Sequence, residues 1–363
     1  MGVASAWSFA VIGVEAVPVR VEAHARNGLP GVSIVGLPGA AVREARERIR
    51  SAAASSRLAL PTKRITVNLS PGDVPKDSPG FDLPVALATL AACGYLQNES
   101  TSDIAAVGEL SLEGAVRPTR GLLSVAESAS RLGLDLLLVP VEGLPVASEV
   151  SDIPVAGVRN LLEAVRLLRD RDYLAKILKR GERWLRHRDN GSAGADGEIL
   201  DLAEVFGHNQ AKRALEIVAA GGHHLLMVGS PGSGKTMLAR RLVSILPPLG
   251  REEAVDVTRV WCVAGLRDVH GGLVRERPFR SPHHTASRVS LVGGSAGPRP
   301  GEVSLAHRGV LFLDELPEFS RDALEALRQP LEEGRVVIAR KTGSSVFPAA
   351  CTLVAAMNPC HRE

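Results

Sequence analysis

The sequence predicts an α/β protein of two domains, the second built on a buried parallel sheet. Three observations predict it. Short apolar runs end in turns rich in charged or amide residues, as buried parallel strands do. One such run, Leu225-Leu226-Met227-Val228, leads into the glycine-rich loop Gly229-Ser230-Pro231-Gly232-Ser233-Gly234-Lys235-Thr236 and then an amphipathic run. The polar, glycine-rich stretch from Arg186 to Gly197 has no apolar period and separates two halves of ordinary domain size.

Composition narrows the possibilities. Hydrophobic residues make up 45% and charged residues 23%, as in globular proteins, whereas aromatics are only 3%, so the cores must be built from Ala, Val, Leu and Ile. A net charge of +3 is too small to imply nucleic acid by itself. Cys93, Cys262, Cys351 and Cys360 form no C-x-x-C pair, which argues against a zinc site or a disulfide framework. The segment Met1 to Val11 lacks the basic and apolar regions of a leader, and no apolar run reaches membrane length, so a cytoplasmic protein without membrane segments is expected.

In the first half, strands are expected at Ser8–Val17, Val19–Ala23, Val32–Val35, Ile65–Leu69, Ile104–Leu110 and Leu134–Val139. A helix is expected from Ala40 to Ala54, with Val42, Ala45, Ile49 and Ala52 on one face and a charged, solvated remainder. A helical tail follows over residues 159–187. Its basic clusters read as solvated or as touching nucleic acid.

In the second half, the order strand, G-x-x-x-x-G-K-[ST], helix is the context in which a phosphate-binding loop works. Gly232 and Gly234 permit turns that aim successive N–H groups at phosphate oxygens. A helix starting at Lys235 turns its positive dipole end to the same anion. Lys235 would reach the terminal phosphates of ATP, and the Thr236 hydroxyl would bind Mg²⁺. Val310-Leu311-Phe312-Leu313 delivers Asp314 and Glu315 from a buried strand beside this loop. Asp314 would hold Mg²⁺ through its water shell, and Glu315 would orient and deprotonate the attacking water. A third run, Thr352 to Met357, ends in Asn358-Pro359, either a simple turn or an amide placed to bond the γ-phosphate or the water. Gly334 to Pro348 reads as a hairpin with Lys341-Thr342-Gly343-Ser344 at its tip. It is either an exposed basic turn or a loop presenting Arg340 and Lys341 to a DNA backbone.

Two resemblances emerge from these segments. Ser70 to Leu83, containing Pro75-Lys76-Asp77-Ser78-Pro79-Gly80, resembles the nucleophile segment of Lon-type proteases, and Gly108 to Leu123 resembles the segment carrying their lysine. The protease serine falls on Gly80 and the lysine on Leu123, neither of which can do that chemistry. The first domain is therefore expected to be an inactive Lon-protease-like (ribosomal S5 domain 2-like) α+β domain. Arg277 to Ser287, Gly301 to Phe319 and Ala355 to Cys360 resemble the magnesium-chelatase-like AAA+ ATPases of the ComM (YifB) competence-protein type. That resemblance implies a P-loop AAA+ parallel-sheet domain, a hexameric ATP-driven ring, a sensor-1 role for Asn358, a pore position for the hairpin, and helicase-like branch migration of DNA. It also places Pro282-His283-His284 in a helix-2 insertion, where a metal-ligand role is set aside because adjacent residues point apart on regular structure.

The resulting organisation is residues 1–168 as the Lon-like domain, 169–198 as charged helix and linker, and 199–363 as the ATPase domain. Against the family pattern the ATPase domain is expected to be incomplete, lacking the fifth strand and the helical lid with its sensor-2 arginine, and no arginine finger is assignable; Leu225–Val228 is then expected to be a sheet edge. A finger supplies about 10³–10⁵ in rate, so weak or absent hydrolysis is expected. Two further readings are a non-catalytic nucleotide-binding or interaction module and a magnesium-chelatase ATPase subunit.

Overall fold

The computed structural model describes residues 3–58, 60–189, 200–266, 272–294, 299–340 and 343–359. Two compact units are drawn from residues 1–192 and from residues 193–267 with 273–363.

The first unit is organised by a seven-stranded mixed sheet in the order β3-β4-β2-β1-β5-β8-β9. Its strands are β1 Val3–Ile12, β2 Glu15–Arg26, β3 Gly31–Val35, β4 Arg64–Ser70, β5 Ile104–Ala106, β8 Leu136–Pro140 and β9 Val155–Val158. A small ladder, β6 Glu109–Leu110 with β7 Val116–Arg117, lies apart from it. β1 and β2 pair antiparallel from Val3↔His24 to Ile12↔Glu15. The expected strand Ser8–Val17 thus runs across a reversal, which Gly13 makes at φ 63°. An apolar run on both sides of a two-residue turn carries no change of period to mark it. The expected strand Ile104–Leu110 is likewise two elements, β5 and β6.

Helices cover both faces of this sheet. Ile104, Ala106, Leu136 and Leu138 face one core with α1 (Ala40–Ser55), α2 (Asp82–Ala92) and α5 (Leu161–Arg169). The alternate residues Ala105, Leu137 and Val139 face another with α3 (Leu122–Arg131) and α4 (Leu144–Val150). Period-two alternation between two apolar layers requires apolar residues on both faces, which explains the uninterrupted run Leu136-Leu137-Leu138-Val139. α1 buries Val42, Ala45, Ile49 and Ala52, as its spacing predicts. α6 (Arg171–Asp189) agrees with the expected helical tail and runs into only the first residues of the stretch read as linker. Residues 190–199 lie outside the described residues.

The second unit contains a four-stranded parallel sheet in the order β10-β15-β12-β11. The strands are β10 Leu225–Val228, β11 Phe279–Arg280, β12 Val310–Leu313 and β15 Thr352–Met357. α7 (Asn209–Gly221) precedes β10, and α8 (Lys235–Arg241) follows its loop. α8 is only seven residues long and tightens into a 3₁₀ turn from Leu242 to Ile245. After α9 (Arg251–Ala264) and β11 come the short helices α10 (Arg288–Val292) and α11 (Glu302–Leu305). α12 (Arg321–Glu333) leads into the hairpin of β13 (Arg335–Arg340) and β14 (Gly343–Pro348). Val310, Phe312, Val354 and Ala356 fill the core beneath the helices with Leu215, Leu238 and Leu242. β10 forms the edge of the described sheet, with Leu226 and Val228 about half exposed.

Candidate functional site

The glycine-rich loop adopts the shape its sequence permits. Gly232 and Gly234 have φ 79° and 78°, a region that side chains with a Cβ rarely adopt. The Gly229 N–H donates to Met357 O of β15 at 3.3 Å, fixing the loop's entry to the sheet. α8 then begins at Lys235. The Lys235 ammonium donates to Gly229 O at 2.8 Å, Ser230 O at 3.0 Å and Asn358 Oδ1 at 3.0 Å. A phosphate arriving in the loop would compete for the same ammonium.

The acids meet this loop from the strand next but one. The acids do lie beside the loop, as expected, although β15 stands between β12 and the glycine-rich strand. The order has a functional consequence, because the middle strand is the one that carries Asn358. The tips of three parallel strands thereby converge. Thr236 Oγ1 donates to Asp314 Oδ2 at 2.7 Å, and the other carboxylate oxygen accepts from the Glu315 N–H at 3.0 Å. Thr236 and Asp314 offer hard oxygen donors side by side, without sulfur or nitrogen, a set that fits Mg²⁺ with its waters. Glu315 sits at φ 53°, so the chain turns sharply after Asp314. Its carboxylate lies beside His284, with Nδ1 to Oε2 at 3.3 Å.

Several residues of the Arg277–Ser287 and Gly301–Phe319 segments hold this arrangement. Arg280 bonds Glu302 through two nitrogens, at 2.7 and 2.9 Å. Arg277 donates to Arg308 O at 2.6 Å and to Glu253 Oε2 at 3.1 Å. His307 is buried, and its Nδ1 accepts from the Ala350 N–H at 3.1 Å, joining the approach to β12 with the approach to β15. Burial, assisted by the nearby Arg308 charge, pushes its pKa down to about 4, so the ring is neutral near pH 7. Spacing along the chain does not reveal these partners, which are 22 to 43 residues apart. The expectation that His283 and His284 diverge is overturned: their ring centroids are 4.1 Å apart, because the segment is a turn and not regular structure. Of the hairpin tip, Lys341 and Thr342 lie outside the described residues, as does the Arg340 side chain.

In the first unit, the positions expected of a Ser–Lys dyad are sealed. A Cβ on Gly80 would meet Val107 Cγ2 at 3.1 Å, Ser78 Oγ at 3.2 Å and Thr119 Oγ1 at 3.3 Å. Leu123 is buried. Lys76, in the same loop, is fully buried and donates to Gly36 O at 3.0 Å, Leu69 O at 3.3 Å and Pro71 O. Asp82 is also buried. Arg48 bonds both its oxygens, at 2.6 and 3.0 Å, and the Leu110 N–H adds a third bond, tying α1, α2 and β6 together. Burial raises the Asp82 pKa, while these donors oppose the rise.

A family model described as "Magnesium chelatase, subunit ChlI" matches residues 201–362, and another described as "Subunit ChlI of Mg-chelatase" matches residues 21–143. The class is thus magnesium-chelatase-like, a group that is AAA+ ATPase-like. The chain is 44% identical over 362 residues to the YifB protein of Salmonella typhimurium, covering 99% of this chain and 68% of that one. It is 42% identical to the competence protein ComM of Haemophilus influenzae, covering 99% and 69%. The Lon protease of Chloroflexus aurantiacus is 34% identical over 166 residues, 41% of this chain and 20% of that one. The chain belongs to the magnesium-chelatase-like ComM family. Among the described residues, no helix is long and apolar enough to cross a membrane.

Proposed function

We propose that this chain binds ATP with Mg²⁺ in the loop Gly229–Thr236 and hydrolyses it to drive remodelling of DNA. The observation that carries the nucleotide reading is the convergence of Lys235 with Asn358 and of Thr236 with Asp314, at 3.0 and 2.7 Å. Four side chains from two strand ends and one helix start meet beside the loop that turns at Gly232 and Gly234. Thr236 and Asp314 would hold the metal, which when bound neutralises phosphate charge. Lys235 would leave its carbonyl partners for the terminal phosphates. Asn358 would position the attacking water, and Glu315 would accept its proton as the phosphoanhydride bond breaks, leaving ADP and phosphate.

The test is ATP turnover by the wild type and by Glu315→Gln. General-base removal is expected to lower kcat by about 10²–10⁴ while nucleotide still binds. Equal rates would overturn the hydrolysis reading. The DNA reading rests on family membership and on the hairpin of β13 and β14, whose sequence carries Arg340 and Lys341. Alanine at both positions is expected to flatten the salt dependence of DNA binding, since each lost phosphate contact lowers the slope by about one. An unchanged slope would remove the hairpin from the DNA path. By the same membership, a homo-oligomeric ring, a hexamer in the resemblance, is the proposed working assembly.

One observation favours a second reading, a nucleotide-binding or docking module without turnover. Among the described residues β10 is an edge strand, and Leu226 and Val228 are exposed at 53% and 58%. Nucleotide binding with no turnover difference between wild type and Glu315→Gln is the outcome expected of that reading.

A further inference from the structure

The large sheet of the first unit is not covered evenly. On β2, Val19, Val21, Ala23 and Ala25 belong to the core with α1 and α2, and on β4 so do Ile65, Val67 and Leu69. The alternate residues therefore share the opposite face: Arg20, Glu22, His24 and Arg26 on β2, and Arg64, Thr66, Asn68 and Ser70 on β4. The core that α3 and α4 build on that side takes Ala16 from β2 and no residue of β3 or β4. This end of the sheet thus turns a polar face to solvent, as antiparallel sheets can.

Two cross-strand rows of the face are satisfied internally. Arg20 donates to Ser5 Oγ at 2.8 Å and to Ser102 O at 3.1 Å, and its guanidinium lies 4.8 Å from the centre of the Trp7 ring. Glu22 accepts from the Asn68 amide at 3.0 Å. The last row is different. Arg26 stands directly opposite Arg64 in the antiparallel ladder, and both are exposed. Like charges so placed repel, since opposed Cβ atoms are only about 4.5–5.5 Å apart. Their neighbours on this face are His24, Thr66, Gly31 and Ser33, none of them acidic. Among the described residues, neither arginine has an ion pair or a side-chain hydrogen bond. Protection of a bare sheet edge does not account for the pair. The edge is β3, whose residues Gly31-Val32-Ser33-Ile34-Val35 carry no charge, and the arginines lie on the strands inside it.

Two planar forks of fixed charge, with the Thr66 hydroxyl and the His24 ring beside them, match an oxyanion that accepts from both. A phosphate between them would turn the repulsion into attraction. An open face holds one small anion weakly, whereas a chain of phosphates adds contacts and releases its counterions. We propose that Arg26 and Arg64 bind the phosphodiester backbone of DNA, which makes the polar sheet face of the first unit a DNA contact in addition to the hairpin. The proposal rests on the DNA reading given above. Contacts of this kind position the strand without reading its sequence.

The experiment measures binding of a labelled DNA duplex to the full chain by fluorescence anisotropy over a range of salt. Wild type, Arg26→Ala/Arg64→Ala, Arg26→Lys/Arg64→Lys and Arg26→Glu are compared, with thermal melting and ATP titration of each. Loss of both arginines is expected to weaken binding by about tenfold or more at about 0.1 M salt, and to lower the slope of log affinity against log salt by about two. The lysine pair should keep most of the affinity, since charge carries the contact. Arg26→Glu sets opposite charges across the ladder, so it should melt no lower than the wild type while binding DNA about tenfold more weakly. A purely structural role does not give that combination. ATP affinity should be the same in all four proteins.

Equal affinity and slope for the wild type and the alanine pair overturn the proposal. So does a loss of binding that follows a lowered melting temperature in every variant. Displacement of the duplex by polyglutamate as readily as by unlabelled DNA also overturns it, and would mark the face for an acidic protein. Failure of the DNA reading itself looks different: the wild type would not bind the duplex at all. Binding lost on alanine substitution of Arg340 and Lys341, but not of Arg26 and Arg64, would keep the hairpin and remove only the sheet face.

Discussion

Two lysines, one in each unit, sit in loops rich in Gly and Pro and are held by main-chain carbonyls. Lys76 donates to Gly36 O, Leu69 O and Pro71 O, and its side chain is fully buried. Lys235 donates to Gly229 O and Ser230 O, with Asn358 as third partner, and remains partly open. The donors and acceptors are nearly the same; access is what differs. Around Lys76 the chain closes, burial lowers its pKa, and every partner is internal. An ammonium so enclosed serves the fold. Around Lys235, two left-handed glycines turn the loop and the lysine stays only partly buried. The ligand role proposed for Lys235 requires carbonyl partners that a phosphate can replace, which those around the enclosed Lys76 are not.

The comparison can be broken at either lysine. Lys235→Ala is expected to weaken ATP binding and to lower turnover by about 10²–10³, the usual cost of removing one pre-organised donor from a charged transition state. The stability of the first unit should not change. Unaltered affinity, measured by nucleotide titration, would show that the open cradle holds no phosphate. Lys76→Met should do the reverse. It leaves three buried carbonyls without their donor and should lower stability by about 3 kcal/mol in urea unfolding. ATP affinity should be that of the wild type.

A buried base in the second unit sharpens the same point with a smaller effect. His307 is closed in and neutral, with a pKa of about 4 against an ordinary 6.5. The sign follows from which state binds the proton. Above pH 6.5 both folded and unfolded chains carry the neutral ring, and its full contribution is present. As pH falls below 6.5, only the unfolded chain takes up the proton, so stability drops until about pH 4 and then levels. The displacement corresponds to about 3 kcal/mol at most, and to about 2 kcal/mol between pH 7 and pH 5. Urea midpoints at those two pH values check this, and His307→Gln should remove most of the pH dependence.

How far the sequence could be read depended on the range of each pattern. The helix Ala40–Ser55, the buried strand before Asp314 and the loop to Thr236 were legible, because each is a run of neighbours with one period or one turn chemistry. The reversal at Gly13 was not, since apolar residues continue on both sides of it. The helical tail over 159–187 was legible too, within two residues of its end at Asp189, but its division at Asp170 into α5 and α6 was not, since the run carries no Gly or Pro there. The partners of Arg277, Arg280 and His307 lay beyond any spacing rule. Family resemblance marked their segments, but coordinates alone show what each side chain touches.

By itself the sequence determined the chemical inventory: a loop able to turn its amides outward, an amine and a hydroxyl behind it, two acids and an amide at the ends of apolar runs. Covalent neighbours carry that information, so no fold is needed to read it. Only the tertiary structure decided the arrangement. It placed β15 between β10 and β12, bringing Asn358 to Lys235 and Asp314 to Thr236, and set His284 opposite Glu315. The physical reason is that parallel pairing joins segments far apart in the chain, and the order and register of those pairs, not the spacing of residues along it, fix which side chains meet.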